Sequence, residues 1–203
     1  MDIIIVIFFS YLCGSIPFGL ILTKIFADQD VRKIGSGNIG ATNVLRTGNK
    51  YLATITLILD ILKGYIPAII SIKYFPELIQ LSCLTTFLAH LFPIWIKFKG
   101  GKGVATYLGI ILALSIQLGT LFIFTWMLVS LIFKYSSVSS MFAALTIFVI
   151  TSIREIFIFS SESLTVPQFS YSKLFFIFFI LIVFTHKKNI LNLKNKSEQK
   201  IKL

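Results

Sequence analysis

Residues 104–133 run for 30 positions without one charged side chain. As a single helix rising 1.5 Å per residue this stretch would be about 45 Å long. A lipid hydrocarbon core is about 30 Å thick. The run therefore predicts either one strongly tilted helix or two short ones turning near residues 117–119. Further apolar runs occupy residues 3–22, 51–72, 78–96, 141–159 and 174–185, the last starting near Tyr171, with short polar segments between them. Composition agrees: 13% of the 203 residues are charged, where a soluble domain carries about 25%. The 21 phenylalanines are also more than one soluble core would bury. The pattern predicts an all-α integral membrane protein. Asp2, rather than a basic region, precedes the first run and no small-residue exit site follows it, so that run is expected to stay as a span. Cys13 and Cys83 lie inside apolar runs and read as packing residues, not as a disulfide or metal ligands.

Charge placement selects a topology. If residues 24–50 are cytoplasmic and 104–133 crosses twice, residues 97–102, Lys134 and the tail after His186 fall on the same side. That side then carries 15 of the 19 basic residues, leaving Lys73, Arg154 and Lys173 opposite and Lys63 within a span. The positive-inside rule favours this arrangement: seven transmembrane helices, N-terminus outside, C-terminus cytoplasmic. The chain divides into one transmembrane domain, 1–190, and a short basic cytoplasmic tail, 191–203, whose lysines suit anionic lipid head groups. Nothing in the charge pattern supports nucleic-acid binding.

With this topology the unusual polar segments gather at one membrane face. The most distinctive is GSGNIGATNVLR, residues 35–46. Glycine-rich backbone forms concavities that accept anions. Here Ser36, Gly37, Asn38, Gly40, Thr42 and Asn43 supply N–H and side-chain donors, and Arg46 adds a planar fork. An oxyanion, most naturally phosphate, is the expected ligand. Residues 97–103, KFKGGKG, place Gly100, Gly101 and Gly103 beside Lys102. Glycines permit close backbone approach to a phosphate, although an ordinary basic loop has the same composition. The segment is not a Walker A loop, because glycine follows Lys102 and no strand precedes it. Ser139 and Ser140 either cap the sixth helix or touch the anion, and a helix start can do both. Asp60 and Lys63 lie mid-span on one helical face. They read either as a structural pair or as a cation positioned in a polar cavity. His90, near the end of the third span, reads as a packed histidine. His186, where the last span leaves the membrane, is the better candidate for proton transfer. There is no metal-ligand cluster and no nucleophile elbow.

Taken together, these segments resemble the bacterial acyl-phosphate:glycerol-3-phosphate acyltransferases, the PlsY type. The likeness rests on GSIPFG (14–19), GSGNIGATNVLR (35–46), D-x-x-K-G (60–64), H-x-F-P with KFKGGKGVAT (90–106), the serines at 139 and 140, and H-x-x-N-I (186–190). The tail after Ile190 departs from the family pattern, and Glu198 fits its terminal glutamate only loosely. The resemblance implies seven helices and an active site at the cytoplasmic face. It implies transfer of a fatty acyl group from acyl phosphate to the 1-hydroxyl of glycerol 3-phosphate, giving 1-acyl-glycerol 3-phosphate (lysophosphatidic acid) and phosphate, the first step of bacterial phospholipid synthesis. No cofactor or metal is implied, and the location would be the bacterial inner (plasma) membrane, multi-pass.

On that basis Arg46, Lys102 and Ser140 are expected to hold glycerol 3-phosphate, and 36–42 with 100–103 the acyl-phosphate head. His186 with Asn189 would orient the hydroxyl or take its proton, and a substrate phosphate oxygen could equally serve as base. An acyl phosphate is already activated, so direct attack without an acyl-enzyme is expected. Lys63 is carried as a further substrate contact. The substrates and the lipid bilayer are the expected partners of a monomer. The competing class is a membrane transporter of a small phosphorylated anion, which would also place polar residues in spans. Detergent-purified protein making lysophosphatidic acid separates the two.

Overall fold

A computed structural model of the chain describes residues 1–160 and 171–201. All regular elements among them are helical. They form two units, Met1–Ile116 and Gln117–Leu203, each described by itself.

In the first unit the opening apolar run becomes two helices, α1 (Asp2–Ser15) and α2 (Phe18–Ala27). Pro17 separates them, since it has no N–H and its ring crowds the preceding turn. The expected helix over 3–22 is thus a broken span covering 26 residues. A single helical turn, α3 (Ala41–Val44), leads to α4 (Lys50–Tyr74). The Asn49 side chain caps α4 by accepting from the Leu52 N–H at 3.0 Å. Then come α5 (Ile79–Leu91) and α6 (Val104–Leu114). α6 stops where Ser115 turns to extended backbone (φ −164°, ψ 118°). The 30-residue run is therefore two helices, breaking slightly before the predicted turn.

Glycines let these helices approach backbone to backbone. A Cβ on Gly64 of α4 would lie 2.1 Å from the Thr106 carbonyl oxygen of α6. One on Gly109 of α6 would lie 2.0 Å from the Ile61 oxygen of α4. Gly14 of α1 stands in the same relation to Thr86 of α5 at 2.3 Å. In lipid, where no hydrophobic effect drives helices together, such close contact supplies the packing energy.

The second unit contains α7 (Ile116–Phe133), α8 (Ser136–Ser160), α9 (Ser172–Thr185) and α10 (Lys187–Lys194). Ala143, Ala144 and Ile147 of α8, and Phe175, Phe178 and Ile182 of α9, are fully buried. Glu155 caps α9, accepting the Ser172 N–H at 2.9 Å. α8 starts five residues before the predicted 141–159, so Ser139 and Ser140 lie inside its opening turns and are not caps. The tail folds back: the Ile201 N–H donates to the Lys134 carbonyl at 2.8 Å. Its last two residues, 202–203, lie outside the described residues.

Among the described residues, five helical stretches are long and apolar enough to cross a membrane, and a sixth if the α9–α10 pair, bent by 54°, counts as one span. α6 has 11 residues, about 16 Å of helix. Outward-facing Phe8, Phe124, Phe157 and Ile156 are exposed to the extent expected of side chains that meet lipid.

Candidate active site

The segment 35–46 sits on a small apolar plug. Leu20, Val31, Ile39, Val44, Leu52 and Ala53 bury together, with Leu22, Ala27 and Ile96 packed against them. Asn43 threads the loop above that plug. Its Nδ2 donates to the carbonyls of Val31 (2.9 Å), Ile34 (2.9 Å) and Asn38 (2.7 Å). Its Oδ1 accepts from the Ser36 N–H at 2.9 Å. A buried amide so fully engaged sets the shape of the loop and has no capacity left for a ligand. Gly35 and Gly37 take left-handed backbone (φ 53° and 73°). A Cβ on Gly35 would meet Arg46 Cδ and Asn43 Oδ1, both at 2.6 Å, so the arginine stem lies across this glycine. Arg46 and Thr42 are exposed, and Ser36, Asn38 and Gly40 half-buried.

Just before this loop, Asp30 caps the turn Val31–Lys33. Its carboxylate accepts from Arg32 Nε (2.9 Å), Nη2 (2.7 Å) and the Arg32 N–H (3.0 Å). The Arg32 side-chain hydrogen bond, more than any other cause, holds this carboxyl well below the usual carboxylate range.

The basic segment 97–103 is built differently. Its N–H groups turn inward: Phe98 donates to Pro93 O (3.0 Å), Gly100 to Leu91 O (3.0 Å) and Gly101 to His90 O (3.2 Å). The N–H groups available to an anion therefore lie later, in the first turn of α6, whose opening donors have no helical acceptors. Lys102, half-buried, stands at that helix start. Ile96 of the preceding turn packs on the plug beneath 35–46, so both glycine loops belong to one end of the first unit.

Below them lies a buried polar cluster. Lys63 Nζ is 2.7 Å from Asp60 Oδ1 and 2.7 Å from the carbonyl oxygen of Ile16. That carbonyl is one released by the break at Pro17. Two of the three ammonium donors of Lys63 are thus engaged, one by Asp60 and one by a carbonyl of the broken span. His90, also buried, shares a hydrogen bond between Nδ1 and Thr106 Oγ1 at 3.0 Å.

In the second unit Ser140 Oγ donates to Ser136 O (2.8 Å) and accepts from Trp126 Nε1 (3.1 Å). Ser139 Oγ donates to Tyr135 O at 2.9 Å. Both hydroxyl protons thus go to the helix backbone, and donating to a phosphate requires a rotation of each side chain. His186 is 2% exposed, with Nδ1 2.8 Å from Ile182 O. A carbonyl only accepts, so Nδ1 carries a proton and donates it to Ile182. Asn189 Nδ2 donates to Glu198 Oε1 at 2.6 Å, and the same oxygen accepts from Ser137 Oγ at 3.0 Å.

The glycerol-3-phosphate acyltransferase family model matches residues 4–196. The chain belongs to the glycerol-3-phosphate acyltransferase family. It is 49% identical to a glycerol-3-phosphate acyltransferase of Pelagibacter ubique (strain HTCC1062), over the full length of both chains. It is 48% identical to one from Mesorhizobium japonicum, over 98% of this chain and 96% of that one. Two crystal structures of PlsY (YgiH), an integral membrane glycerol 3-phosphate acyltransferase, share the fold. Its glycerol 3-phosphate form superposes with TM-score 0.89 at 32% identity, covering 100% of this chain and 96% of that one. Its lysophosphatidic acid form gives TM-score 0.86 at 31% identity, with the same coverage.

For this acyltransferase, sequence reasoning singled out the loops and missed what holds them. Asn43 read as one more donor, although it is the staple of its loop. The contact of His90 with the second loop, and the Glu198 clasp on Asn189 and Ser137, carried no local signal. Only the fold brings such distant positions together.

Proposed function

We propose that the chain transfers a fatty acyl group from acyl phosphate to the 1-hydroxyl of glycerol 3-phosphate by direct attack. The hydroxyl oxygen bonds to the acyl carbon, the bond from that carbon to the bridging phosphate oxygen breaks, and inorganic phosphate leaves with the electron pair. The hydroxyl proton passes to His186 Nε2 or to a phosphate oxygen. Two phosphorylated substrates repel each other, so their site needs fixed cations and N–H donors that cost no reorganisation during reaction. Arg46, Lys102 and Ser140 take glycerol 3-phosphate in this reading. Segment 36–42 and the start of α6 take the acyl-phosphate head, whose departure they ease by neutralising it. Asn189, held by Glu198, orients the attacking hydroxyl with His186. Alignment of hydroxyl and carbonyl supplies several kcal/mol of the rate. α6 counts as a short crossing in this scheme, giving seven spans with the loops at the cytoplasmic face of a bacterial inner membrane.

One observation carries this reading most directly: each glycine loop ties its interior to its own scaffold, and a cation, Arg46 or Lys102, stands at its end. In detergent, purified protein given labelled acyl phosphate and glycerol 3-phosphate should form lysophosphatidic acid, and acyl-CoA should not replace the donor. Arg46→Ala should raise the KM for glycerol 3-phosphate tenfold or more. An acyl-CoA-dependent product, or a trapped covalent acyl-protein, would contradict the scheme.

A further inference from the structure

His90 lies in a helix, outside both glycine loops, yet its ring occupies the space directly beneath one of them. A Cβ built on Gly101 would be 2.2 Å from His90 Nε2, 3.1 Å from Cε1 and 3.2 Å from Cδ2. The ring thus fills the volume that any other residue at 101 would need. Its opposite edge is fixed, since Nδ1 is 3.0 Å from Thr106 Oγ1, in the first turn of α6. The His90 backbone joins in, because its carbonyl accepts the Gly101 N–H at 3.2 Å. The ring is 3% exposed, so it is a rigid support and not a mobile side chain. One residue therefore touches the basic loop just before Lys102 and the helix just after it.

We propose that His90 is a positioning residue: its ring, braced on Thr106, sets the height of Gly101 and so the placement of Lys102 and the start of α6 toward the substrate phosphate. The steric fit makes a specific demand. Gly101 is required because of His90, so the cost of a side chain at 101 falls when the ring is removed. A residue that merely stabilised the fold would show this coupling in the unfolding midpoint while leaving KM unchanged.

This inference rests on the reading that Lys102 serves glycerol 3-phosphate. The experiment measures KM and kcat for that substrate in Gly101→Ala, His90→Ser and the double variant, with Arg46→Ala and unfolding midpoints in detergent alongside. The expected result is a KM at least tenfold higher in Gly101→Ala with a smaller change in kcat, and a double variant that recovers at least threefold of that loss. A wild-type KM in Gly101→Ala, or a double variant no better than Gly101→Ala, overturns the proposal. Should Gly101→Ala fail to accumulate, His90→Ser decides alone: a KM raised about fivefold with kcat within twofold supports it, and an unchanged KM overturns it. If Arg46→Ala is also without effect on KM, the reading of the site has failed. If Arg46→Ala acts and the position 90 and 101 variants do not, only the role of His90 has failed.

Discussion

The two glycine-rich loops of the first unit look alike in composition and are held by opposite means. Segment 35–46 takes its shape from one side chain, with the Asn43 amide reaching three carbonyls and one N–H across 12 residues of chain. Segment 97–103 takes its shape from the backbone of α5, whose last carbonyls receive its N–H groups, and from the ring of His90 under Gly101. The first loop contains five residues whose side chains could donate to an anion, Ser36, Asn38, Thr42, Asn43 and Arg46, and uses Asn43 as a frame. The second is framed by backbone hydrogen bonds, with the Lys97 and Lys99 N–H groups donating to the carbonyls of Ile94 and Ile96, both at 3.2 Å. Glycine content alone thus says little about which groups remain for a ligand. What decides is whether the donors inside the loop already have acceptors.

The comparison predicts unequal sensitivity to side-chain removal. Asn43→Ala strands the buried carbonyl of Val31 and, in a half-buried setting, the carbonyls of Ile34 and Asn38 and the Ser36 N–H. Each buried polar group left unpaired costs about 1–3 kcal/mol. The expected outcome is a large drop in the unfolding midpoint together with more than a hundredfold loss of turnover, the largest effect foreseen outside the cations. Detergent-solubilised protein followed by thermal unfolding and product formation checks it. Near-normal activity in Asn43→Ala would show that the first loop, like the second, is held by its backbone.

The second loop predicts tolerance. Lys97 and Phe98 both adopt left-handed backbone (φ 54° and 60°), which costs a non-glycine residue about 1–2 kcal/mol. Glycine removes that strain and gives back about 0.5–1 kcal/mol in chain entropy. Lys97→Gly should therefore change stability by no more than about 1 kcal/mol, toward greater stability, with turnover within twofold. A tenfold loss would mean that Lys97 itself meets a substrate, and the contrast between the loops would narrow.

How far these differences could be read from the chain depends on sequence distance. The helical membrane architecture was legible because apolar runs and basic loops are local patterns, and the break in residues 104–133 followed from its length together with the placement of the basic residues. The candidate phosphate loops were legible because glycine and cation density is also local. Pro17 was visible, yet the first run still read as one helix, since nothing nearby announces that Lys63 supplies the lost hydrogen bond from 47 positions away. The starts of α8 and its serines were misplaced for a related reason. Ser136 to Ser140 are weak helix formers, and only the contacts of Trp126 with Ser140 and of Glu198 with Ser137 show why they wind up helically.

The smallest effect expected concerns acid, and only the first loop should feel it. Asp30 caps the turn carrying Val31, whose carbonyl Asn43 holds, and Arg32 keeps the Asp30 carboxyl below its ordinary range. A carboxyl whose folded pKa is depressed contributes stability that is fully present above its unfolded value, about 3.9, and is lost as pH falls through the folded value. Because Arg32 is exposed and Asp30 only half-buried, solvent screens the pair and its contribution is small. Wild-type protein should therefore unfold slightly later than Asp30→Asn at pH 7, and the gap should close progressively below about pH 4. A gap independent of pH would mean that the substitution acts through packing, leaving the carboxylate without a part in shaping the loop.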